Sequence, residues 1–308
     1  MTSRMAGVFV SKVMVATLAF ILGMSGGGML AGAVAANTGW QTPTLPPGMD
    51  ANATLRTLLA TSPLLVLTLY LLGRHLAGGW LIRSTLLALL AWVAYTLNNV
   101  IEAIFFSRYV TAPWYNLVTF TPALLLCAAA TAWLWPPQHQ GEAFLSHWRT
   151  HFQQRPARAW RWRLAVAAVS FMPIYYGFGL LVVPFVGDFY QQGDFGLAVP
   201  SLPTLLMVLL VRSLLFFAAC LPVIVAWRGR NLRLWLSLGF ALFVMVGLLY
   251  MLAGNWLPVN MRIIHSLEIL ADSFVHAGVL VWLLAPPKEQ PPAAPVLGSG
   301  YTRRWRIL

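Results

Sequence analysis

Charged residues are scarce in this sequence. Only 9% of the 308 residues are Asp, Glu, Lys or Arg, against about 25% in ordinary soluble domains. Acidic residues are the scarcest, with 8 Asp and Glu against 20 Lys and Arg, while 59% of the chain is hydrophobic. This composition excludes an ordinary soluble domain and predicts an all-α membrane protein that crosses the bilayer several times.

Cysteine and the common catalytic motifs are also nearly or entirely lacking. Cys127 and Cys220 both lie in apolar segments, so we interpret each as a small buried residue rather than half of a disulfide or a metal site. There is no Walker loop, dinucleotide glycine fingerprint, His-Glu-x-x-His helix, Gly-x-Ser-x-Gly elbow or Cys-x-x-Cys pair. These absences argue against ATP-driven pumping, nicotinamide chemistry and thiol redox chemistry in this chain alone.

Apolar runs long enough to cross a membrane are abundant. With about 20 apolar residues needed per span, the sequence predicts eight helices, at 10–34, 56–73, 84–106, 115–135, 164–186, 204–227, 234–253 and 261–285. We therefore predict an all-α, polytopic membrane helix bundle.

Basic residues in the connecting segments predict the orientation. One set of loops and ends holds only Arg56, Arg108 and Arg262; the other holds Arg4, Arg74, Arg83, Arg149, Arg155, Arg158, Arg161, Arg163, Arg228, Arg230, Arg233, Lys288, Arg303, Arg304 and Arg306. By the positive-inside rule the rich set is cytoplasmic, which places both termini inside and predicts a location in the plasma (inner) membrane. Although the net charge is +12, the basic residues sit in short loops, so we expect contacts with anionic lipids and no nucleic-acid binding.

The order of the segments suggests two parallel four-helix repeats. The first half, 1–135, and the second, 164–285, each contain a helix hairpin with a short basic turn and end next to a Pro-Pro pair. Between them, 136–163 is a basic cytoplasmic linker in which we expect a short amphipathic helix on the inner leaflet. Residues 286–308 have the composition of a disordered, basic cytoplasmic tail.

The first span has two interpretations. Arg4 and Lys12 before an apolar stretch that ends near Ala35 resemble a signal peptide. The length of the stretch and its glycines, Gly23, Gly27, Gly28 and Gly32, favour a retained helix that packs closely against a neighbour. That neighbour could belong to this chain, to a second copy or to another membrane protein, so the span is also a candidate oligomer contact.

The strongest functional signal is a polar stripe in the last span. His265, Glu268, Asp272 and His276 fall within an arc of about 80° at about 100° per residue and cover about 16 Å of helix. Ionisable groups inside a membrane are costly, so they normally face a bundle interior or a water-filled cavity. The corresponding positions of the first half, Tyr115, Val118, Pro122 and Leu126, are not charged.

Other polar residues are expected at the same depth. Glu102, with Asn98 and Asn99 before it, lies near one end of the third span, and Arg212 lies a few turns inside the sixth. An unpaired charge there would cost at least a few kcal/mol, so we expect Arg212 to pair with Glu102 or Glu268 and both asparagines to complete the hydrogen bonds. Tyr175 and Tyr176, with Gly177 and Gly179, are candidates for a cavity lining, with helix packing as the alternative role.

Three function classes fit these residues. Protonatable groups on successive turns favour binding or translocation of a proton, an ion or a small solute near the outer face. The alternative is a membrane-embedded hydrolase, in which His265, Glu268 and Glu102 would hold a divalent metal or Glu268 would act as a base. A non-catalytic polar network that fixes helix packing or assembly is the third.

Overall fold

The computed structural model describes residues 3–46, 48–108, 112–137 and 144–286. These residues form helices and connecting loops, with no β-strand in the described ranges. In chain order the helices are α1 (Ser3–Thr38), α2 (Ala51–Gly73), α3 (Trp80–Phe106), α4 (Pro113–Leu134), α5 (Phe144–Gln153), α6 (Ala157–Gln192), α7 (Leu202–Ala226), α8 (Asn231–Ala253) and α9 (Val259–Leu284). All except α5 are long and apolar enough to cross a membrane. The predicted all-α, polytopic bundle with eight spans is therefore confirmed.

Two helices extend well beyond the predicted spans. Helix α1 begins at Ser3 instead of residue 10, and α6 runs from Ala157 to Gln192 instead of 164–186. The first turns of α6 thus occupy the end of the segment predicted as a linker, since Pro156 is the residue that precedes the helix. The predicted tail from 287 onward lies outside the described residues.

Helices α3 and α8 each contain a π-helical segment, Trp92–Leu97 and Val244–Leu248 respectively. Each segment follows twelve or thirteen residues of α-helix. A π-helical segment changes which side chains face a neighbouring helix and often occurs near functional sites. In α3 it directly precedes Asn98 and Asn99.

The glycines of α1 allow it to pack along α4. A Cβ atom at Gly23 would lie 2.6 Å from the Cα of Ala123, and one at Gly27 would overlap the main-chain oxygen of Thr119. Only residues without a side chain permit such close approach of two backbones. The predicted neighbour of these two glycines is therefore α4 of the same chain, whereas the proposed role of α1 in an oligomer stays a prediction.

One end of the bundle, which we call the arginine-rich end, joins the α2–α3 turn to the α7–α8 turn. The amide of Ala77 donates to the carbonyl of Ala226 and the amide of Arg228 donates to the carbonyl of His75, both at 2.7 Å. Leu76 and Trp227 lie opposite each other between these two bonds. The two bonds are reciprocal, as in an antiparallel bridge.

Basic side chains at this end cap the last helix of each half. Lys12 donates to the carbonyl of Leu134 at 2.7 Å, and Arg163 donates to that of Leu283 at 2.9 Å. Cations are favourable at these positions because the C-terminal carbonyls of a helix carry partial negative charge. Arg83 is nearly fully buried and donates to the carbonyls of Gly73, Ala132 and Trp135.

The opposite, arginine-poor end also has contacts between the halves. Asn255 exchanges two hydrogen bonds with the main chain of Asp50, and the amides of Arg108 and Ala198 donate to the carbonyls of Gly196 and Phe106. Thus the α1–α2 loop meets the α8–α9 loop, and the α6–α7 loop meets the α3–α4 loop. The two contacts therefore involve four different loops.

The short helix α5 docks through aromatic side chains. Phe152 packs against Trp148 and Trp160 at ring distances of 5.3 and 4.8 Å, and Trp160 donates to the carbonyl of Phe152. His151 has no exposed surface and stacks near Trp160. Burial lowers the pKa of His151 to about 4, and the nearby positive charge of Arg155 acts in the same direction.

Candidate functional site

The polar stripe of α9 runs from the surface of the bundle into its interior. His265 is partly buried, and the exposed fraction then falls from 8% at Glu268 to 2% at Asp272 and 1% at His276. The four side chains share one face of α9 because their spacing follows the helical turn. The stripe therefore begins near the arginine-poor end and ends in the core.

His265 and Glu268 form a hydrogen-bonded pair. The Nδ1 of His265 lies 2.7 Å from Oε2 of Glu268, and its Nε2 lies 3.3 Å from the hydroxyl of Tyr190. Because a carboxylate accepts, Nδ1 carries the donated proton; Nε2 of the neutral ring is then free to accept from Tyr190. A carboxylate that orients a histidine in this way is a common arrangement for accepting and releasing protons.

Asp272 and His276 continue the stripe with incomplete hydrogen bonding. Oδ1 of Asp272 accepts from Ser273 at 3.2 Å, but Oδ2 has no hydrogen-bond partner. Nε2 of His276 is also without one, and its ring lies edge-on to Phe171 and 6.1 Å from Phe216. Buried polar atoms are nearly always hydrogen-bonded, so unpaired ones call for an explanation such as function or a water molecule.

Arg212 of α7 meets Glu102 and Asn98 of α3. Its Nη2 lies 2.6 Å from Oε1 of Glu102, and its Nε donates to Oδ1 of Asn98 at 2.9 Å. The guanidinium also stacks 4.4 Å from the ring centre of Tyr175. Of the two predicted partners of Arg212, the structure therefore pairs it with Glu102, while Glu268 pairs with His265.

An interruption of α6 positions the aromatic side chains around this group. Pro173 has no amide hydrogen to continue the helical ladder, and the helix is interrupted at Ser170. The amide of Phe171 donates instead to the hydroxyl of Ser213 on α7. This bond holds α6 against α7 at the level where Phe171 contacts both Arg212 and His276.

Two expected members of the site are placed differently. Asn99 donates to the carbonyl of Tyr95 in its own helix instead of joining the Arg212 network; the prediction that both asparagines bind there was wrong for this residue. Glu102, a candidate metal ligand, is bound to Arg212. Among the described residues no three His, Cys, Asp or Glu side chains are grouped closely enough to hold a metal ion.

Two adjoining cavities reach the stripe. The larger, of about 540 Å³, lies between α6, α7 and α9 and is lined in part by Tyr176, Gly179, Leu205, His265 and Glu268. The smaller, of about 90 Å³, is lined by Glu102, Tyr250 and again His265 and Glu268. Tyr175 and Tyr190 line both. The His265–Glu268 pair is thus accessible, whereas Asp272 and His276 do not line either cavity.

No protein-family model, curated protein or solved structure matches this chain. What the site can do therefore follows from its own chemistry. An accessible His–Glu pair can exchange protons, and the buried carboxyl one turn further along α9 can accept one.

Sequence reasoning included Tyr175, Tyr176, Gly177 and Gly179 but missed Tyr190. Of these four, only Gly177 lines neither cavity. The fifth predicted span ended at residue 186, whereas α6 continues through Tyr190 to Gln192. An aromatic residue with a polar tip near the end of a membrane helix is usually interpreted as an interfacial anchor. Tyr190 follows Tyr176, Val183 and Gly187 at helical spacing, and these three residues also line the larger cavity. This spacing was the signal in the sequence that could have identified Tyr190.

Proposed function

We propose that this multi-pass membrane protein binds and translocates a proton, an ion or a small solute through the polar stripe of α9. The observation that supports this most is the continuity of the stripe. It begins at an accessible pair, His265 and Glu268, and continues to Asp272 and His276, which are buried and incompletely hydrogen-bonded. A single binding site at the cavity would not require the two deeper groups.

The accessible end of the stripe faces outward in this proposal. Arginines are concentrated at the opposite end, as in a protein whose termini and short basic loops are cytoplasmic. The arginine-rich end would then lie at the inner leaflet of the plasma (inner) membrane, where anionic lipids attract basic side chains. The cavity with His265 and Glu268 would open from the outer side.

We also propose that the two halves are parallel repeats. Three pairs of features support this: the reciprocal bonds between the α2–α3 and α7–α8 turns, the π-helical segments of α3 and α8, and the capping of α4 by Lys12 and of α9 by Arg163. Transporters built from repeats carry substrate sites at the interface between the halves. Here Glu102 of the first half and Glu268 of the second line the same cavity.

The inner end of the stripe is closed by apolar packing. His276 contacts Phe171 and Phe216, and the next residue on the same face of α9, Leu280, is fully buried. Passage to the arginine-rich end therefore requires these side chains to move. The described arrangement corresponds to a state that is open on one side only, as alternating access demands.

Purified protein in vesicles would test the proposal. We expect an imposed pH gradient or membrane potential to drive proton or ion movement, and Glu268→Gln and Asp272→Asn to abolish it. Ser266→Ala is the matched control, because Ser266 is on α9 but bonds only to the carbonyl of Arg262 in its own helix. Folded wild-type protein without flux in a broad ion and solute screen would contradict translocation and favour a structural or assembly role.

The hydrolase remains a second candidate because the His265–Glu268 pair lines a cavity large enough for a substrate. In that case His265 or Glu268 would activate water, with or without a divalent metal. Metal analysis of the purified protein and of His265→Ala distinguishes the two. Near-stoichiometric metal that is lost in the variant while the fold survives would favour the enzyme over the transporter.

A further inference from the structure

The cavity that contains Glu268 has an unusual combination of walls. On one side are α6 side chains such as Leu180 and Val183, which are themselves 54% and 51% exposed on the bundle surface. On the other side are Leu209 of α7 and the His265–Glu268 pair. The cavity therefore lies directly behind the surface that would contact lipid chains, with the His265–Glu268 pair at its inner wall and the polar side chains of Arg108 and Gln191 also in its lining.

Carboxyl groups outnumber cations in the membrane-spanning part of this region. Glu102, Glu268 and Asp272 contribute three carboxyl groups, and Arg212 contributes one cation within the membrane-spanning part. Arg212 is already bound to Glu102, and a protonated Asp272 would still leave Glu268 without a full positive partner. The guanidinium of Arg108 lies at the mouth of the cavity, near Gly193, and is exposed. Arg108 also lines the cavity, but water screens its exposed charge, so an added cation is most favourable deeper in the cavity, next to Glu268.

The remaining walls suit a cation with an apolar body better than a hydrated ion. Phe106, Tyr176 and Tyr190 supply aromatic rings, which attract organic cations through the negative faces of their π systems. Aliphatic side chains line most of the rest, and they cannot replace the water that a small inorganic ion would lose. Gly179 lets a ligand approach the carboxylate, because a Cβ there would lie 3.7 Å from Oε1 of Glu268.

A second cavity, which lies between α2, α3, α4 and α8, offers a comparison within the same molecule. It has a volume of about 320 Å³ and is lined by residues such as Leu58, Asn116, Phe120 and Trp256, with no ionisable carboxyl or basic group among its lining residues in the described part of the chain. Size and apolar walls alone therefore do not distinguish the cavity at Glu268; its carboxylate does.

We infer that the cavity between α6, α7 and α9 binds an amphipathic monovalent cation, an amine or quaternary onium compound with an apolar body. Its charge lies against Glu268 and its apolar part against α6 and α7. This inference rests on the proposed function, since it names the substrate class for the same site. Such a molecule would reach the cavity from the outer leaflet, because it partitions into lipid with its charge at the interface.

Equilibrium dialysis of the purified full-length protein with radiolabelled tetraphenylphosphonium tests this inference. Tetraphenylborate, which has the same shape and the opposite charge, is the ligand control. We expect saturable binding of the cation only, with affinity reduced at least tenfold by Glu268→Gln. Asp188→Asn removes a carboxylate from an exposed position on α6 outside the cavity lining and should bind as the wild type does.

A pair of glycine variants tests the location without removing a charge. Gly179→Val should reduce binding because the new side chain fills the approach to Glu268, whereas Gly177→Val should not, since a Cβ there meets no atom within 4 Å. Thermal unfolding in detergent checks that each variant is folded. Equal binding of the two probes by the wild type, or unchanged binding by folded Glu268→Gln, would overturn the inference.

These results separate the inference from the proposed function. Proton or ion flux that depends on Glu268, without binding of tetraphenylphosphonium, would retain translocation and refute the substrate class. Saturable binding without flux would retain the cation site and refute translocation.

Discussion

The pairing of Arg212 with Glu102 leads to a quantitative prediction about stability. Arg212 is 1% exposed, so loss of its partner leaves a cation in the bundle interior. Breaking a fully buried pair costs about 3–5 kcal/mol. The cost should be smaller here because the Glu102 side chain is 30% exposed and Asn98 still accepts from Nε. We expect Glu102→Gln to lower the free energy of unfolding by about 2 kcal/mol.

A double-mutant cycle isolates the pair. We expect Arg212→Met and Glu102→Gln to show a coupling energy of about 1–2 kcal/mol, because the double variant no longer contains an unpaired charge. A second cycle, in which Glu268→Gln replaces Glu102→Gln, should give a coupling energy with Arg212→Met of less than about 0.5 kcal/mol, since Glu268 bonds to His265 instead. Unfolding in mixed detergent micelles, followed by tryptophan fluorescence against the fraction of dodecyl sulfate, measures these free energies.

Two results would refute this reasoning. Additive effects of Arg212→Met and Glu102→Gln would mean that the observed contact contributes nothing to stability. A larger coupling of Arg212 with Glu268 than with Glu102 would mean that the other of the two sequence-predicted partners is the correct one.

Three further predictions concern packing, pH and orientation. Gly27→Ala should lower the free energy of unfolding by about 1–3 kcal/mol, because its Cβ would overlap a main-chain carbonyl of α4. Gly26→Ala is the control and should have little effect, since a Cβ there meets no atom within 4 Å. Equal thermal stabilities of the two variants would contradict the α1–α4 packing. Burial lowers the pKa of His151 to about 4 in the folded protein. Between about pH 6.5 and pH 4 this histidine therefore binds a proton more readily in the unfolded chain than in the folded one. The free energy of unfolding should fall by up to about 3 kcal/mol as the pH drops through this range. Thermal unfolding across that range checks this, and a His151→Asn variant that keeps the full slope would disprove it. A reporter active only in the periplasm should work when inserted near Gln192 and be silent after Arg233; the reverse pattern would invert the orientation.

Hydropathy predicted the spans well because each crossing helix must be apolar over most of its length. Where basic residues were interpreted as loop, however, the helix boundary was wrong. Arg163 lies inside α6, where its side chain donates to the carbonyl of Leu283 on α9. Arg83 lies inside α3 and is buried, because main-chain carbonyls such as that of Trp135 accept its hydrogen bonds. Charge alone does not reveal that an arginine has backbone acceptors within reach.

The candidate site was predicted in outline and not in its pairings. The stripe on α9 follows from spacing along one helix, whereas the choice of Glu102 for Arg212 depends on how three helices are arranged. Adjacent residues on a helix point about 100° apart, so Asn98 and Asn99 could not both face Arg212. Tyr190 was missed because α6 continues past the end of the apolar run.

The main-chain bonds between the α2–α3 and α7–α8 turns have a consequence for how sequence can vary. Ala77 and Arg228 each donate a main-chain amide hydrogen to a carbonyl of the other turn, a bond that every residue type except proline can make. Beside these bonds, the ring of His75 packs 4.7 Å from that of Trp227. The two main-chain bonds therefore place little demand on the side chains of Ala77 and Arg228, whereas a change at His75 or Trp227 would alter a side-chain contact across the joint. Because these bonds do not depend on which side chains the helices carry, α9 can bear His265, Glu268, Asp272 and His276 without a matching change in Ala77 or Arg228.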